Sequence, residues 1–161
     1  VLDSLSNPDN YMKISFSYER NVPLAKRFVW MFGTDVRLTT DKAPEFDVFY
    51  VGASDHTTRN RDVAFYGFGY REVNVPSFLI AKSEMRARIW SELYFLSRVN
   101  YFQGWNSEFD IFDKVLNPKY DAFGYSAGLG INSLIGPLNV WVASNTMDKN
   151  VWWYFNFGFN F

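Results

Sequence analysis

The sequence lacks the residues and segments on which several common classes of protein depend. It contains no cysteine and a single histidine, so disulfide frameworks and thiolate metal sites are excluded. Uninterrupted apolar runs such as residues 29–32 fall far short of the roughly 20 residues that span a bilayer as a helix. The formal net charge of -1 argues against a nucleic-acid partner.

Aromatic residues, in contrast, make up 20% of the 161 residues, and charged residues make up another 20%. The two kinds are interleaved most clearly at the end of the chain, where apolar residues occupy every second position from Val151 to Phe161. A period of two predicts a strand with one apolar face. Such a face favours aggregation in water, so we expect it to contact lipid.

The same alternation divides most of the chain into extended segments. A soluble β-sandwich would also alternate, but segments of about 10–12 residues with Tyr and Trp near their ends are typical of tilted transmembrane strands. The sequence therefore predicts an all-β fold, a transmembrane antiparallel β-barrel with eight strands per chain. These strands are 11–20, 28–40, 46–52, 79–90, 93–103, 121–132, 137–147 and 151–161.

This assignment gives a periplasmic lead at 1–10 and a barrel domain at 11–161, with both ends of the even-numbered barrel on the periplasmic side. The first residue, Val1, suggests a processed chain or an excised fragment. Short links are expected at the periplasmic side and long ones outside, with 148–150 a tight exception. The short links are 21–27, 41–45, 91–92 and 133–136, and the long ones are 53–78 and 104–120. Loop 53–78 is predicted to fold into the lumen or to cap it.

Several charged residues fall on the lumen face of the predicted strands. Because such charges need partners or water, we predict a structural network rather than an ion path, with Arg86 or Arg88 as an anchor for the long loop. The network comprises Asp35, Arg37, Glu84, Arg86, Arg88 and Arg98. Glycine and serine between residues 124 and 130 leave the inner wall bare, which suits a wide lumen occupied by a loop.

The single His56 follows Ser54 and Asp55. Three consecutive residues of an extended loop cannot generally converge as nucleophile, base and orienting group, since alternate side chains point apart. A solvated turn is the better interpretation. We therefore expect a chain that is not an enzyme, with no catalytic residues, no metal and no cofactor.

Three segments carry more specific patterns: residues 49–54, residues 125–130 followed by the hairpin Gly136-Pro137-Leu138, and residues 154–161. Together they resemble the C-terminal half of the barrel of the outer-membrane-protein-85 superfamily, over about residues 11–161. The resemblance implies that the final phenylalanines form a C-terminal assembly signal. These are Phe157, Phe159 and Phe161.

In that family the long loop carries an arginine-glycine-aromatic motif that reaches into the lumen and pairs with acidic residues on a strand. The matching residues here are Tyr66, Gly67 and Phe68, so a tyrosine replaces the arginine. In this respect the chain resembles the variant barrels that are attached to patatin-like lipases. Arg59 or Arg61 is the candidate replacement for the missing guanidinium.

Family barrels have sixteen strands, so the resemblance implies that eight strands are half of a barrel. The other half is an N-terminal half of the same protein or a second copy of the chain, as a homodimer; closure by eight strands alone is the third option. The seam at Gly158 serves either ordinary closure or the admission of client strands.

The resemblance also implies a location in the bacterial outer membrane of Gram-negative cells. The expected contacts are outer-membrane lipid and, during biogenesis, the barrel-assembly machinery. The expected function is protein insertion into this membrane or translocation across it. One alternative is a membrane anchor or export barrel for a patatin-like phospholipase, and another is a stand-alone eight-stranded barrel acting as a lipid enzyme or adhesin.

Overall fold

The computed structural model describes residues 12–39, 48–52, 61–105, 118–134 and 136–158. Regular structure in this part of the chain consists of ten β-strands. They are β1 (Lys13–Ala25), β2 (Phe28–Thr39), β3 (Phe49–Val51), β4 (Asp62–Val63), β5 (Val73–Val75), β6 (Ser77–Arg88), β7 (Leu93–Trp105), β8 (Tyr120–Ser133), β9 (Gly136–Asn145) and β10 (Val151–Phe157). The prediction of an all-β fold is confirmed.

Seven long strands form one antiparallel sheet, which we call the main sheet, in the order β1-β2-β6-β7-β8-β9-β10. Each strand pairs with the next long strand along the chain, which is the simplest connection that a sheet can have. Strands β1, β2 and β6 to β9 run for 10 to 14 residues. The alternating sequence gives each of them one apolar and one more polar face.

The predicted strand 46–52 does not join the main sheet. Its described part, β3, pairs in parallel with β4 and antiparallel with β5 in a separate three-stranded sheet. Phe49 and Val51 are buried in one core with Phe78 of β6 and Phe102 of β7. The small sheet therefore packs on one side of the main sheet, which we call the covered face, and the apolar side of β3 meets protein rather than lipid.

The main sheet consequently has seven described strands, and the predicted count of eight is not confirmed, because β3 lies outside this sheet. Since every pairing is antiparallel, β1 and β10 run in the same direction. The two edge strands thus start at the same end of the sheet, and the expectation that both chain ends share one side does not hold for them. The predicted lead at 1–10 lies outside the described residues.

The two ends of the main sheet differ in their connections. The turns at 26–27 and 89–92 lie at one end, the turn end, where Ser133 pairs with Gly136 and β10 also finishes. Strands β2 and β7 end at the opposite, loop end, where the turn at 146–150 also lies. The predicted link 21–27 is shorter than expected because β1 continues to Ala25.

Large apolar side chains are exposed on the open face, opposite the covered face. Phe155 lies beside Val140, Val140 beside Leu129, and Leu129 beside Phe95, in direct register across four strands. These four side chains remain 39% to 73% exposed. A continuous apolar surface of this kind typically marks contact with a membrane or another protein.

No helix in the described part of the chain has the length and apolar composition needed to cross a membrane.

Candidate functional site

The loop motif lies on the covered face of the main sheet, and both of its aromatic side chains are fully buried. Phe68 packs with Phe65, at 4.4 Å between ring centroids, in the core beneath the small sheet. Tyr66 belongs to a second core, nearer the turn end. Gly67 separates them with a φ of 120°, which residues with a side chain rarely adopt.

The wall beneath the motif admits the loop backbone because it lacks a side chain there. A Cβ atom on Gly124 of β8 would lie 2.1 Å from the carbonyl oxygen of Tyr66, well inside van der Waals contact. The predicted bare stretch of inner wall therefore holds the loop at Gly124.

Tyr66 is enclosed by groups from three strands of the main sheet. Its ring meets Trp141 of β9 and Tyr154 of β10 edge-on, at centroid distances of 4.9 Å and 5.2 Å. The guanidinium carbon of Arg98, on β7, lies 4.1 Å from the centre of the same ring. Edge-on aromatic pairs and a cation over a ring face are both favourable arrangements. The cation at the motif is thus supplied by the wall, through Arg98, rather than by the loop.

Glu84 of β6 holds Arg98 in this position. The two residues are direct cross-strand partners, and Arg98 Nε donates to Glu84 Oε2 at 2.7 Å, with a second contact from Arg98 Nη2 to the same oxygen. Arg86 Nε contacts the other carboxylate oxygen, Oε1. Glu84 is 1% exposed and Arg98 5%, so this ion pair lies almost entirely out of water.

A buried ion pair contributes little net stability, because desolvation offsets much of the attraction, but removing one partner leaves an uncompensated charge. That loss is typically about 3–5 kcal/mol. The arrangement therefore favours retention of the whole set: Glu84 orients the guanidinium, and the guanidinium covers the loop tyrosine.

Hydrogen bonds fix the loop backbone at the same place. Asn100 Nδ2 donates to the Tyr66 carbonyl oxygen at 3.2 Å, and Asn145 Nδ2 donates to the Gly67 carbonyl oxygen at 2.6 Å. The Tyr154 hydroxyl accepts from Gly67 N–H at 3.0 Å and donates to the Phe68 carbonyl oxygen at 2.7 Å. The motif is thereby bonded to three different strands of the main sheet.

A carboxyl pair joins the loop to the β9–β10 turn at the loop end. Partial burial raises the pKa of Glu72, and the nearby charge of Asp148 adds to that rise. Burial also acts to raise the pKa of Asp148, but hydrogen bonds from Asn150, Asn145 and Glu72 outweigh it, and that pKa is lowered. Of the two carboxyl groups, Glu72 therefore binds a proton at the higher pH.

The predicted lumen network is only partly one cluster. Glu84, Arg86 and Arg98 meet, whereas Asp35 and Arg37 form their own pair on β2 at 3.2 Å. Arg37 also lies over the ring of Phe49, 5.1 Å from its centre, and so belongs to the contact with the small sheet.

The structure corrects the predicted anchor for the loop. Arg88 donates to the carbonyl oxygen of Lys26 at 3.1 Å, in the β1–β2 turn, and Arg86 contacts Glu84. The arginine that lies over the loop tyrosine is Arg98. Of the two proposed replacements for the loop arginine, Arg61 is exposed and Arg59 lies outside the described residues. The segment with Ser54, Asp55 and His56 also lies outside them.

The predicted hairpin is the β8–β9 connection. Gly136 opens β9 with a φ of 117° and pairs with Ser133. Pro137 and Leu138 pair with the two residues of β8 that precede Ser133. Phe157 ends β10 opposite Leu138 and is 60% exposed. The other two residues of the predicted assembly signal, Phe159 and Phe161, lie outside the described residues.

Comparison with protein families gives a match to the model of the OMP85 superfamily over residues 9–161. The chain belongs to the OMP85 superfamily. This membership supports an outer-membrane protein of the β-barrel type, and its extent covers every described strand. No curated protein sequence matches the chain.

In this OMP85 chain a tyrosine, Tyr66, occupies the loop position at which the resemblance led us to expect an arginine. The wall opposite carries both a cation, Arg98, and its acidic partner, Glu84. The contact of loop with wall is therefore a cation over a ring.

None of Trp141, Tyr154, Asn100 and Asn145 was predicted from the sequence as a site residue. The alternation alone puts all four on the face opposite the lipid. The alternation cannot show how far along the sheet each residue lies, because the register between neighbouring strands sets that position. In the observed register, Trp141 is the direct partner of Tyr154.

Proposed function

We propose that this OMP85 chain forms the C-terminal part of a transmembrane β-barrel that acts in protein insertion into, or translocation across, the bacterial outer membrane. The observation that carries the proposal is the position of the loop motif on the covered face, where Arg98, paired with Glu84, lies over Tyr66. It reproduces with other residues the contact of loop with inner wall that the resemblance implies for such proteins.

The two faces of the main sheet support a position in a membrane. The open face presents aromatic and aliphatic side chains in register, whereas the covered face carries the charged network and the folded loop. A lipid-facing apolar surface opposite a polar interior is the pattern of outer-membrane barrels. Two residues of the closing strand, Trp153 and Phe155, are 62% and 73% exposed.

The direction of the edge strands bears on how the barrel closes. Because β1 and β10 run the same way, antiparallel closure needs an odd number of further strands between them. The sixteen strands implied by the resemblance leave nine beyond the seven described, and nine is odd. Two copies in the same orientation would meet in parallel, so we favour an N-terminal half of the same protein over a homodimer.

The loop suggests how such a barrel is regulated. Loop and small sheet fill the covered face at the loop end, and the motif is held by contacts to β7, β9 and β10. Passage of a polypeptide along this face requires the loop to move. We therefore assign the motif the role of a reversible plug in a chain that is not itself an enzyme.

A comparison of strains tests this function. The gene is deleted in its host and restored as wild type, as Arg98→Gln or as Arg20→Gln, a matched change on the open side of β1. Loss of specific outer-membrane or secreted proteins on deletion, partial loss with Arg98→Gln and full restoration with Arg20→Gln are expected. An unchanged outer-membrane and secreted proteome after deletion would contradict the proposal.

The second candidate function is an anchor or export barrel for a patatin-like phospholipase. The tyrosine at the arginine position of the motif favours it, because this departure resembles the barrels attached to such lipases. A Gly-x-Ser-x-Gly hydrolase domain in the same polypeptide, together with phospholipase activity of the purified protein, would select this function over the first.

A further inference from the structure

A second site lies on the covered face between the loop motif and the turn end. It is a cavity of about 600 Å³. One wall is formed by Tyr66, Arg98 and Trp141 from the motif contact, and the cavity reaches the β1–β2 turn at the other side.

The charge of this cavity is of one sign. Five of its lining residues are cations, and none of the described residues that line it is an aspartate or glutamate. The cations are Lys26, Arg27, Arg86, Arg88 and Arg98. The carboxylate beside them, Glu84, is fully buried and already contacts both Arg86 and Arg98, so most of the positive charge is not balanced within the described residues.

Amide side chains add further hydrogen-bond donors to the lining of this cavity. Asn132, Asn139 and Asn156 line the cavity from β8, β9 and β10 and can donate hydrogen bonds to an oxygen-rich ligand. Guanidinium groups bind carboxylates and phosphates through parallel hydrogen bonds. The chemistry selects an anion with several separated oxygen groups, because the cations are spread over β6, β7 and the β1–β2 turn.

We propose that this cavity binds an acidic, carboxylate-rich segment of a polypeptide that enters from the turn end. A single phosphate is far smaller than the cavity. Lipid is expected at the open face, on the other side of the main sheet, where the exposed apolar residues lie. An extended segment with several Asp or Glu residues matches both the volume and the spread of charge.

The proposal rests on the proposed function for the view that the segment belongs to a client protein. Its position adds a consequence: Arg86 and Arg98 face the cavity and also hold Glu84. Carboxylates of the bound segment compete with Glu84 for these guanidinium groups, and that competition weakens the contact between Arg98 and Tyr66. Binding at the turn end is thereby linked to release of the loop.

Binding is tested with the complete protein in detergent micelles and a fluorescent ten-residue glutamate peptide, measured by anisotropy. We expect binding that weakens as salt screens the charges, and no binding of the matching glutamine peptide. The double variant Lys26→Gln/Arg27→Gln should bind about tenfold more weakly, or worse. The matched double variant Arg20→Gln/Lys149→Gln, which removes the same charge outside the cavity, should bind as the wild type does.

Arg88→Gln is a second cavity variant and should also weaken binding. Equal loss in the cavity and matched double variants would overturn the proposal, as would equal binding of the glutamine peptide. Inorganic phosphate and phosphatidylglycerol vesicles are the competing ligands. If either binds without displacing the glutamate peptide, the proposal is supported. If either binds while the glutamate peptide fails to bind, the proposal is overturned. A negative peptide result would leave the strain comparison, and hence the proposed function, standing.

Discussion

Tyr66 and Arg98 form the contact on which the position of the loop depends most directly. The guanidinium lies over the tyrosine ring at 4.1 Å and is oriented by a carboxylate that is almost fully buried. A cation over a ring is worth about 2 kcal/mol when it is shielded from water. Arginine is suited to this place because its planar group can stack on a ring while its edge binds a carboxylate.

Replacement of Arg98 by Gln should loosen the loop. Without the guanidinium, Glu84 loses its buried partner, so we expect the loop to open at least about tenfold more often, equivalent to about 1.4 kcal/mol. Trypsin cleavage after Arg61 or Arg71, followed by mass spectrometry on the folded protein, measures this opening.

Arg88→Gln is the control, since Arg88 contacts the β1–β2 turn and not the motif. A double variant with Tyr66→Leu tests the pairing: once Tyr66 is gone, the further effect of Arg98→Gln should be smaller. Equal cleavage of the Arg98→Gln and Arg88→Gln proteins would remove Arg98 from its assigned role.

At the scale of the element, the loop of residues 61–76, which includes β4 and β5 of the small sheet, contacts the rest of the structure at two places. The motif is fixed to the middle of the main sheet, and Glu72 is linked to the β9–β10 turn through Asp148. Asn145 joins the two points, since its amide donates both to Gly67 and to Asp148.

The carboxyl pair makes the second point dependent on pH. The raised pKa of Glu72 adds stability that is present at low pH and lost as the pH rises through that pKa, while the lowered pKa of Asp148 adds stability that is lost as the pH falls through its own pKa. The link between loop and turn is therefore strongest in the acidic range between the two pKa values and weaker above the pKa of Glu72.

Hydrogen exchange of residues 69–75, corrected for the intrinsic effect of pH, measures this dependence. Protection should fall between mildly acidic and neutral pH in the wild type. Glu72→Gln, which keeps a hydrogen-bond donor without a titrating group, should remove most of the fall. The same decline in the variant would show that another group is responsible.

The sequence predicted the long strands well for a local reason. A period of two is a property of each segment by itself. The apolar face of a strand can therefore be identified without its neighbours, as it was for Leu129, Val140 and Phe155. The same rule failed at β3, because Phe49 and Val51 also alternate but bury their side chains beneath the small sheet. The motif contact escaped prediction in part because Tyr66 and Arg98 lie far apart in sequence and meet only when β7 reaches its register.

At the scale of the whole molecule, the parallel directions of β1 and β10 predict that these edges do not pair with each other. These 161 residues contain no cysteine, so an introduced pair of cysteines meets no other cysteine among them. Phe155→Cys combined in turn with Phe16→Cys, Tyr18→Cys and Arg20→Cys should give no disulfide, either within a chain or between copies.

Val142→Cys with Trp153→Cys is the positive control, since these residues are direct partners across β9 and β10 and strand partners come within disulfide range. Native mass measurement in detergent should show one copy of the complete protein per barrel. An efficient β1–β10 disulfide, or a barrel containing two copies, would favour closure by this chain alone or by a homodimer.

The enclosure of Tyr66 has a consequence for the order of folding. Its ring touches residues of β7, β9 and β10, and the last of these, Tyr154, follows it by 88 positions in the sequence. Contacts between such distant positions form late. The loop therefore cannot reach its final place until the closing strand has been added, and its arrival marks the completion of the sheet.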